Sequence, residues 1–327
     1  MTTVSVVIPF RGRPEWLVEA VESVLAQTYQ DFEIIIVDDG SDSWRHDDVF
    51  DDERVRCLHQ EHSGATVARN HGIHEARGRY IAFLDDDDLF LPPKLEVQVE
   101  AMERQPDALL SHTSCLRIDP SGATIGHVKT GQFSGDVFPR ILFNCPITTS
   151  SVVMRSAAFD LVGGFDPSLK VGDGEDVVFW AEIAKRSPIL GIDEPLTKVR
   201  VHHDSTAFLP GADAATRWTI VHRTSLLSGS WLLRRQVVAA MNLDLAVLAW
   251  RLSRDATAHA RPERRHPIVA DVQRLVDRRG RLQIAVYTWR AVAACPFHPG
   301  PYLALLKGLG RKLLNRVDPT PSSVGSS

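Results

Sequence analysis

Tyr80-Ile81-Ala82-Phe83-Leu84-Asp85-Asp86-Asp87-Asp88 runs five apolar or aromatic residues straight into four carboxylic acids. The apolar part, bounded by Gly78 before it and Pro92-Pro93 after it, reads as a buried parallel strand. Open α/β sheets place their ligands at the C-terminal ends of such strands. On an extended chain, alternation puts Asp85 and Asp87 on one side and Asp86 and Asp88 on the other. An Asp-x-Asp pair at the mouth of a sheet suits a hard divalent cation, which prefers oxygen ligands. A bare acidic run can equally be a solvated loop; the strand in front of it and the pattern around it favour a site.

Upstream, Val4-Ser5-Val6-Val7-Ile8-Pro9 reads as a first buried strand, and Pro14 opens a helix with apolar residues at Leu17, Val21, Val24 and Leu25. Phe32 to Val37 is a second β-branched run, ending in Asp38-Asp39-Gly40-Ser41, and a weaker third strand lies near Val55–Leu58. Ala65 to Ala76 is helical and stops before Gly78. Strand, helix, strand, helix, strand predicts an α/β, doubly wound, mostly parallel sheet. Downstream, Ala108–Ile118, Ser151–Arg155 and Leu196–Val201 read as strands, Asp119-Pro120-Ser121-Gly122 as a turn, and Val177–Lys185 as a helix. From about Ala212 the composition turns to Leu/Ala/Arg-rich amphipathic helices punctuated by prolines, and Pro319–Ser327 reads as a polar disordered tail. The expected organisation is a domain over 1–210, in two halves of about 1–105 and about 106–210. A basic helical C-terminal region over 211–327 follows.

The 327 residues suffice for one large domain with an appendage, or for two domains. The net charge of -4 conceals a strong asymmetry. Residues 1–210 hold 19 Lys+Arg against 34 Asp+Glu, whereas residues 211–327 hold 18 against 7. A basic second part implies an anionic partner, or docking on its own acidic half. Cys57, Cys115, Cys145 and Cys295 show no metal-ligand spacing and no disulfide framework, which points to a reducing compartment. No basic segment followed by an apolar one opens the chain, so no signal peptide is expected. The longest mostly apolar run, Val237–Trp250, is broken by Asn242 and Asp244 and falls short of the roughly 20 residues that a span needs. The expected location is cytoplasmic, or peripheral on the inner face of a membrane.

Four further constellations could carry chemistry. Asp38-Asp39-Gly40-Ser41 could accept from a ribose hydroxyl or a base N–H, or be an ordinary turn. The stretch Gly64 to Ile73 puts Arg69 on a helix that starts near a glycine, where a diphosphate could be met. Gly163-Gly164-Phe165-Asp166 precedes Glu175-Asp176, two acids opening an apolar helix, where they also complement the helix dipole. Arg200-Val201-His202-His203 ends a short strand and could address a metal or a phosphate.

Together these pieces resemble the family-2 glycosyltransferases of GT-A fold. The landmarks appear in order: Val4–Pro9, Ala20–Thr28, Ile36–Ser41, Ala68-Arg69-Asn70-x-Gly72-Ile73, Phe83-Leu84-Asp85-x-Asp87-Asp88, Gly163–Asp166, Glu175-Asp176 and Arg200-Val201-His202. The resemblance covers roughly residues 4–203 and leaves the C-terminal third unmatched; it implies a nucleotide-binding half over about 1–105 and an acceptor half over about 106–210. It implies that Asp39 hydrogen-bonds the base, with Asp38 and the Pro9-Phe10-Arg11 loop shaping the pocket, and that Arg69 reaches the nucleotide. It further implies that Asp87 ligates Mn2+ or Mg2+, with Asp85 facing the ribose and His202 adding a metal or diphosphate contact. Asp86 stands in the nucleotide-binding run where the family usually has a small residue. Asp176 matches the general base, and Gly164 and Glu175 fall where the acceptor or donor sugar is handled.

The implied reaction is a metal-dependent, inverting transfer of a hexosyl-type unit from a nucleoside-diphosphate sugar (UDP, GDP or dTDP) to an acceptor hydroxyl. Carbohydrate or lipid-linked acceptors in polysaccharide, glycolipid or glycoconjugate synthesis are expected, and no nucleic acid. Processive synthases carry Gln-x-x-Arg-Trp; Arg217-Trp218 is present here with Ala214 in place of the glutamine, so single-sugar addition is expected. Tyr302–Arg316 holds four cations and no acids among apolar residues, which suits peripheral contact with an anionic membrane or packing on the protein itself. The rival readings are a sugar-phosphate nucleotidyltransferase, whose Gly-x-Gly-x-Arg loop Phe10–Arg13 lacks, a phospho-receiver module, which is far shorter, and a nucleotide-sugar-binding protein without turnover.

Overall fold

A computed structural model describes residues 2–41, 50–203, 205, 216–217, 219–221 and 225–252. The chain divides into two units, Met1–Ser228 and Gly229–Ser327, and the expected boundary near residue 210 lies outside the described residues. In the first unit, β1 (Val4–Phe10), β2 (Phe32–Asp39), β3 (Val55–Gln60) and β4 (Tyr80–Phe83) pair in parallel in the order β3-β2-β1-β4. The helices α1 (Pro14–Leu25) and α2 (Ala65–Glu75) provide the crossovers.

Every residue of β1, β2 and β4 is buried, because helices cover both faces. Val4, Val6, Ile8 and Phe10 share a cluster with Leu17, Ala20, Val21 and Val24 of α1, while Ile35 and Val37 pack with Ala68 of α2 on the opposite face. The period of two along a strand explains that division. The winding reverses at β1, so the loops after β1 and β4 part and leave a crevice at their C-terminal ends.

The second half is mixed. After β5 (Leu89–Phe90) and α3 (Lys94–Arg104) come β6 (Leu110–Ile118), β7 (Thr124–Val128), β8 (Val153–Arg155), α4 (Ser156–Val162), α5 (Glu175–Ala184) and β9 (Ile189–Arg200). Strand β8 joins antiparallel to β4 and β6, β9 runs parallel to β6, and β5 and β7 lie antiparallel on β9 and β6. Parallel pairing holds most residues in register, which agrees with the expected fold class. Strand β9 begins seven residues before the expected Leu196, and α5 begins at Glu175 rather than Val177.

The acidic run departs from its expected geometry. Strand β4 ends at Phe83, and Asp85–Asp88 form a turn in which Asp88 N donates to Asp85 O at 3.1 Å. Burial nevertheless alternates, with Asp86 and Asp88 buried and Asp85 and Asp87 half-buried.

In the second unit, α6 (Trp231–Leu252) is the element described. The expected helices beyond it, the Tyr302–Arg316 segment and the polar tail lie outside the described residues. Among the described residues, no helix is long and apolar enough to cross a membrane, and Cys57, Cys115 and Cys145 are free thiols.

Candidate active site

The loops after β1, β2, β3 and β4 meet the end of β9 around a cleft of about 290 Å³. Its lining includes Pro9, Phe10, Arg11, Arg13, Asp39, His62, Arg69, Asp85, Asp86, Asp87 and His202. Most expected site residues thus converge. Asp38, Gly164, Glu175 and Asp176 are not part of that lining.

Arg69 is the hinge of the arrangement. It is 4% exposed, its Nη2 donates to Asp85 Oδ1 at 2.6 Å, and its Nη1 lies 3.6 Å from Glu175 Oε1. Burial works against the charge, but Asp85 and Glu175 outweigh it and hold the guanidinium above its ordinary pKa. One buried cation therefore ties the acidic turn to the start of α5. Its Nε and Nη1 are buried and have no hydrogen-bond acceptor among the described residues. The ring of Phe165 lies 5.6 Å beneath the guanidinium, and Asn70 clamps Phe165 by accepting from its N at 2.9 Å and donating to its O at 2.7 Å. Gly164 sits in that clamp, where a Cβ would run into the Asn70 side chain.

At the other end of the turn, Asp87 Oδ2 meets His202 Nε2 at 2.7 Å, and the imidazole is 3% exposed. Strand β9 brings His202 there because Arg200 N donates to Asp88 Oδ1 at 2.9 Å and Arg200 Nε to Asp87 O at 2.9 Å. Arg13 stands 3.7 Å from Asp87 Oδ2, 3.4 Å from Asp86 Oδ1 and 3.1 Å from His202 Nε2. The Trp16 ring lies 5.2 and 5.1 Å from the guanidiniums of Arg13 and Arg200. Burial, then the charge of Asp87, pushes the Asp86 carboxyl up to about 7, against the pull of Arg13. Arg13 supplies positive charge to Asp86 and Asp87, as Arg69 does to Asp85, and no motif in the sequence marked Arg13.

Asp39 is buried and accepts four hydrogen bonds, from Gln60 Nε2, His62 Nδ1, Ser63 N and Gly64 N, at 2.7–2.9 Å. Asp38 accepts from Ser41 N at 3.0 Å and lies 2.9 Å from His59 Nδ1. At the start of α5, Glu175 is buried and accepts from Gly172 N at 3.2 Å. Burial, then the Asp176 charge, pushes it up to about 8. Asp176 is half-buried and accepts from Val177 N at 2.7 Å; burial raises its carboxyl, while Arg69 draws it down.

Among the described residues, no three His, Cys, Asp or Glu side chains gather into a full metal cage. Asp87 and His202 offer one carboxylate and one imidazole. That is a sufficient footing for an ion that takes its remaining ligands from a diphosphate and water, as Mg2+ commonly does, and imidazole is acceptable to first-row divalent ions. The donor set fits.

The model of the family described as glycosyl transferase family 2 matches residues 5–157. An uncharacterized glycosyltransferase of Rickettsia felis is 42% identical over 215 residues, covering 64% of this chain and 34% of that protein. The chain therefore spans about a third of the length of that relative. A UDP-Glc:alpha-D-GlcNAc-diphosphoundecaprenol beta-1,3-glucosyltransferase of Escherichia coli, WfaP, is 31% identical over 189 residues, covering 57% of this chain and 72% of that protein. The crystal structure of S. aureus TarS 1-349 in complex with UDP-GlcNAc superposes with a TM-score of 0.56 at 14% identity, over 88% of this chain and 81% of that one. The likeness in fold, a curled α/β sheet of GT-A type, thus extends well past what sequence identity alone would carry.

Proposed function

Because the chain belongs to glycosyltransferase family 2, we propose that it moves a single sugar from a nucleoside-diphosphate sugar to an acceptor hydroxyl, with inversion at the anomeric carbon. Arg69 is the observation that carries this reading: a buried cation in the lining of the cleft joins the acidic turn to the α5 acids. Nucleotide oxygens are the natural acceptors for such a guanidinium. Pro9, Phe10, Arg11 and Asp39 wall the nucleotide side.

Asp87 and His202 would hold Mn2+ or Mg2+, which, when bound, neutralises charge developing on the diphosphate leaving group. The remaining chemistry belongs to the chain. Asp176 takes the proton from the acceptor hydroxyl; it is the less buried of the two α5 acids and the one without an ion pair to Arg69. Its neighbour Glu175 is held inward by Gly172 N and Arg69 and positions the helix start. A single base acting opposite the leaving group suits one displacement with inversion.

The acceptor is a carbohydrate or a lipid-linked sugar. The activity named for WfaP, glucosyl transfer onto a sugar-diphosphoundecaprenol, makes a lipid-diphosphate acceptor the first to test. A cytoplasmic enzyme working at the inner face of a membrane would reach it through its basic C-terminal region.

The experiment is a screen of UDP-, GDP- and dTDP-sugars with Mn2+ or Mg2+, reading released nucleoside diphosphate. Release with one donor, dependent on the ion, is expected; no release with any donor and acceptor would sink the proposal. Asp176→Asn should keep nucleotide affinity while transfer falls about 10²-fold or more. Unchanged turnover in that variant would remove Asp176 from the mechanism.

A further inference from the structure

Arg69, Arg200 and Arg13 all reach the acidic turn, and they hold it differently. Arg69 meets Asp85 at 2.6 Å from a side chain 4% exposed. Arg200, 1% exposed, donates to the Asp87 carbonyl at 2.9 Å and pairs with Glu19 Oε2 at 2.6 Å. Both are short, buried contacts. Arg13 makes neither kind. Its side chain is 36% exposed and spreads over three partners, 3.1 Å from His202 Nε2, 3.4 Å from Asp86 Oδ1 and 3.7 Å from Asp87 Oδ2. Ion pairs so long and so exposed contribute little to stability, so of these three cations Arg13 is the one that is cheaply displaced.

What Arg13 touches is specific. Its Nη1 faces Asp87 Oδ2 and His202 Nε2, the two atoms assigned above to a divalent ion. Those atoms stand 2.7 Å apart. An imidazole nitrogen cannot give a hydrogen to Asp87 and offer a lone pair to Arg13 at once. The three-way contact is therefore never fully satisfied by a guanidinium. A divalent cation takes a lone pair from each ligand and leaves no such conflict. The two cations need the same atoms and repel one another, so they exclude each other there. The loop lets Arg13 withdraw: it follows Gly12, at φ +86°, and makes no side-chain cap on α1. The Trp16 ring lies on one side of it, and the cleft that it lines opens on the other.

We propose that Arg13 is the resident counter-ion of Asp87 and His202, displaced when a divalent ion and its nucleotide bind together; the inference rests on the metal-dependent nucleotide-sugar reading above. A bare ion has to evict the guanidinium and gives it no anion in exchange. An ion arriving with a diphosphate brings anionic oxygens, with which a guanidinium pairs well. Arg13 thus weakens the hold on free ion and couples ion to nucleotide, and the coupling is reciprocal. Its role is that of a positioning residue for the two ligands, and it keeps the site from filling with an ion that has no substrate to act on.

Calorimetric titration of the full chain tests this, first with Mn2+ alone, then with UDP, GDP and dTDP in the absence and presence of Mn2+. In the wild type, Mn2+ alone should bind weakly and should raise the affinity for a nucleotide about tenfold or more, within the usual span of such couplings. Arg13→Gln should bind Mn2+ alone about tenfold more tightly than the wild type, and the gain that Mn2+ gives the nucleotide should shrink by at least that factor. Arg13→Lys keeps a point charge and should stay within about threefold of the wild type. Arg11 lies on the same loop, is exposed and bonds His62 instead. Arg11→Gln should leave the affinity for Mn2+ alone within about threefold, because a more distant exposed charge is screened. Damage to the fold would lower the affinity for the ion, so a rise reports displacement. Unchanged or weaker binding of Mn2+ by Arg13→Gln would overturn the proposal. So would an equal rise in Arg11→Gln, which would reduce the effect to net charge. A wild type that binds none of the nucleotides, or binds them no better with Mn2+, would defeat the metal-dependent nucleotide-sugar reading itself, and this inference with it.

Discussion

Arg69 and Lys94 are both buried cations, and their surroundings give them opposite effects. Arg69 is compensated by Asp85 and Glu175. Removing it as Arg69→Met strands two acids at a buried junction, a change that typically costs about 3–5 kcal/mol; urea denaturation at neutral pH should show a loss of that order. Among the described residues Lys94 has no acid paired with it: its Nζ donates to Gln98 Oε1 and lies 3.4 Å from Ser151 O and 4.4 Å from the Phe90 ring. Burial lowers it from 10.5 to about 7. Between those values the unfolded chain binds the proton and the folded one does not, so stability rises with pH above about 7. Thermal midpoints measured from pH 7 to 9 should climb in the wild type, and Lys94→Met should flatten that climb. At this scale the acids, Arg69 and His202 were legible because their types and spacing carry chemistry. Arg13 and His62 were not: each acquires its place only when parallel strands bring distant loops together, and neither sits in a telling local pattern.

Elements were legible where burial is uniform. Strands β1, β2 and β4 are apolar throughout, and α1 repeats its apolar residues at helical spacing, so the reading and the structure agree within a few residues. Helix α3 and strand β7 have no counterpart in the sequence-based reading. The buried face of α3 carries Lys94 and Gln98, which breaks its apolar stripe, and β7 is exposed or half-buried and held by pairing with β6. Helix α2 poses a sharper question, since it is weakly amphipathic and contains Gly72. Alanine there would gain about 1 kcal/mol of helix propensity. Its Cβ would, however, run into Val7 of β1 and stand 3.2 Å from Val37 of β2. Overpacking of that kind typically costs about 1–3 kcal/mol, so contact with the sheet should win. Gly72→Ala is expected to lower the urea midpoint and to weaken nucleotide binding, because Arg69 lies one turn earlier on the same helix. A stabilised variant would show that α2 can lift from the sheet without cost.

At the scale of the whole molecule, charge divides the chain as sharply as fold does. The acids that build the site belong to a part carrying 34 Asp+Glu against 19 Lys+Arg, while residues 211–327 reverse the sign with 18 Lys+Arg against 7 acids. The described start of that second part shows how apolar and basic groups combine. Trp231 and Leu232 are 67% and 53% exposed at the beginning of α6, and the Arg235 guanidinium lies 4.7 Å from the Trp231 ring. Exposed tryptophan beside arginines is the composition that favours a membrane interface, and each cation near an anionic surface adds about 1 kcal/mol. An enzyme whose acceptor is a lipid-linked sugar would gain from it, since the acidic catalytic part is repelled by the same surface. The full chain should therefore cosediment with anionic phospholipid vesicles at low ionic strength and not with zwitterionic ones. Raising salt to about 1 M shortens the screening length to about 3 Å and should release it. Trp231→Ser with Leu232→Ser should weaken the low-salt binding while leaving nucleotide affinity in the cleft as it was. Equal indifference to both kinds of vesicle would overturn the membrane reading.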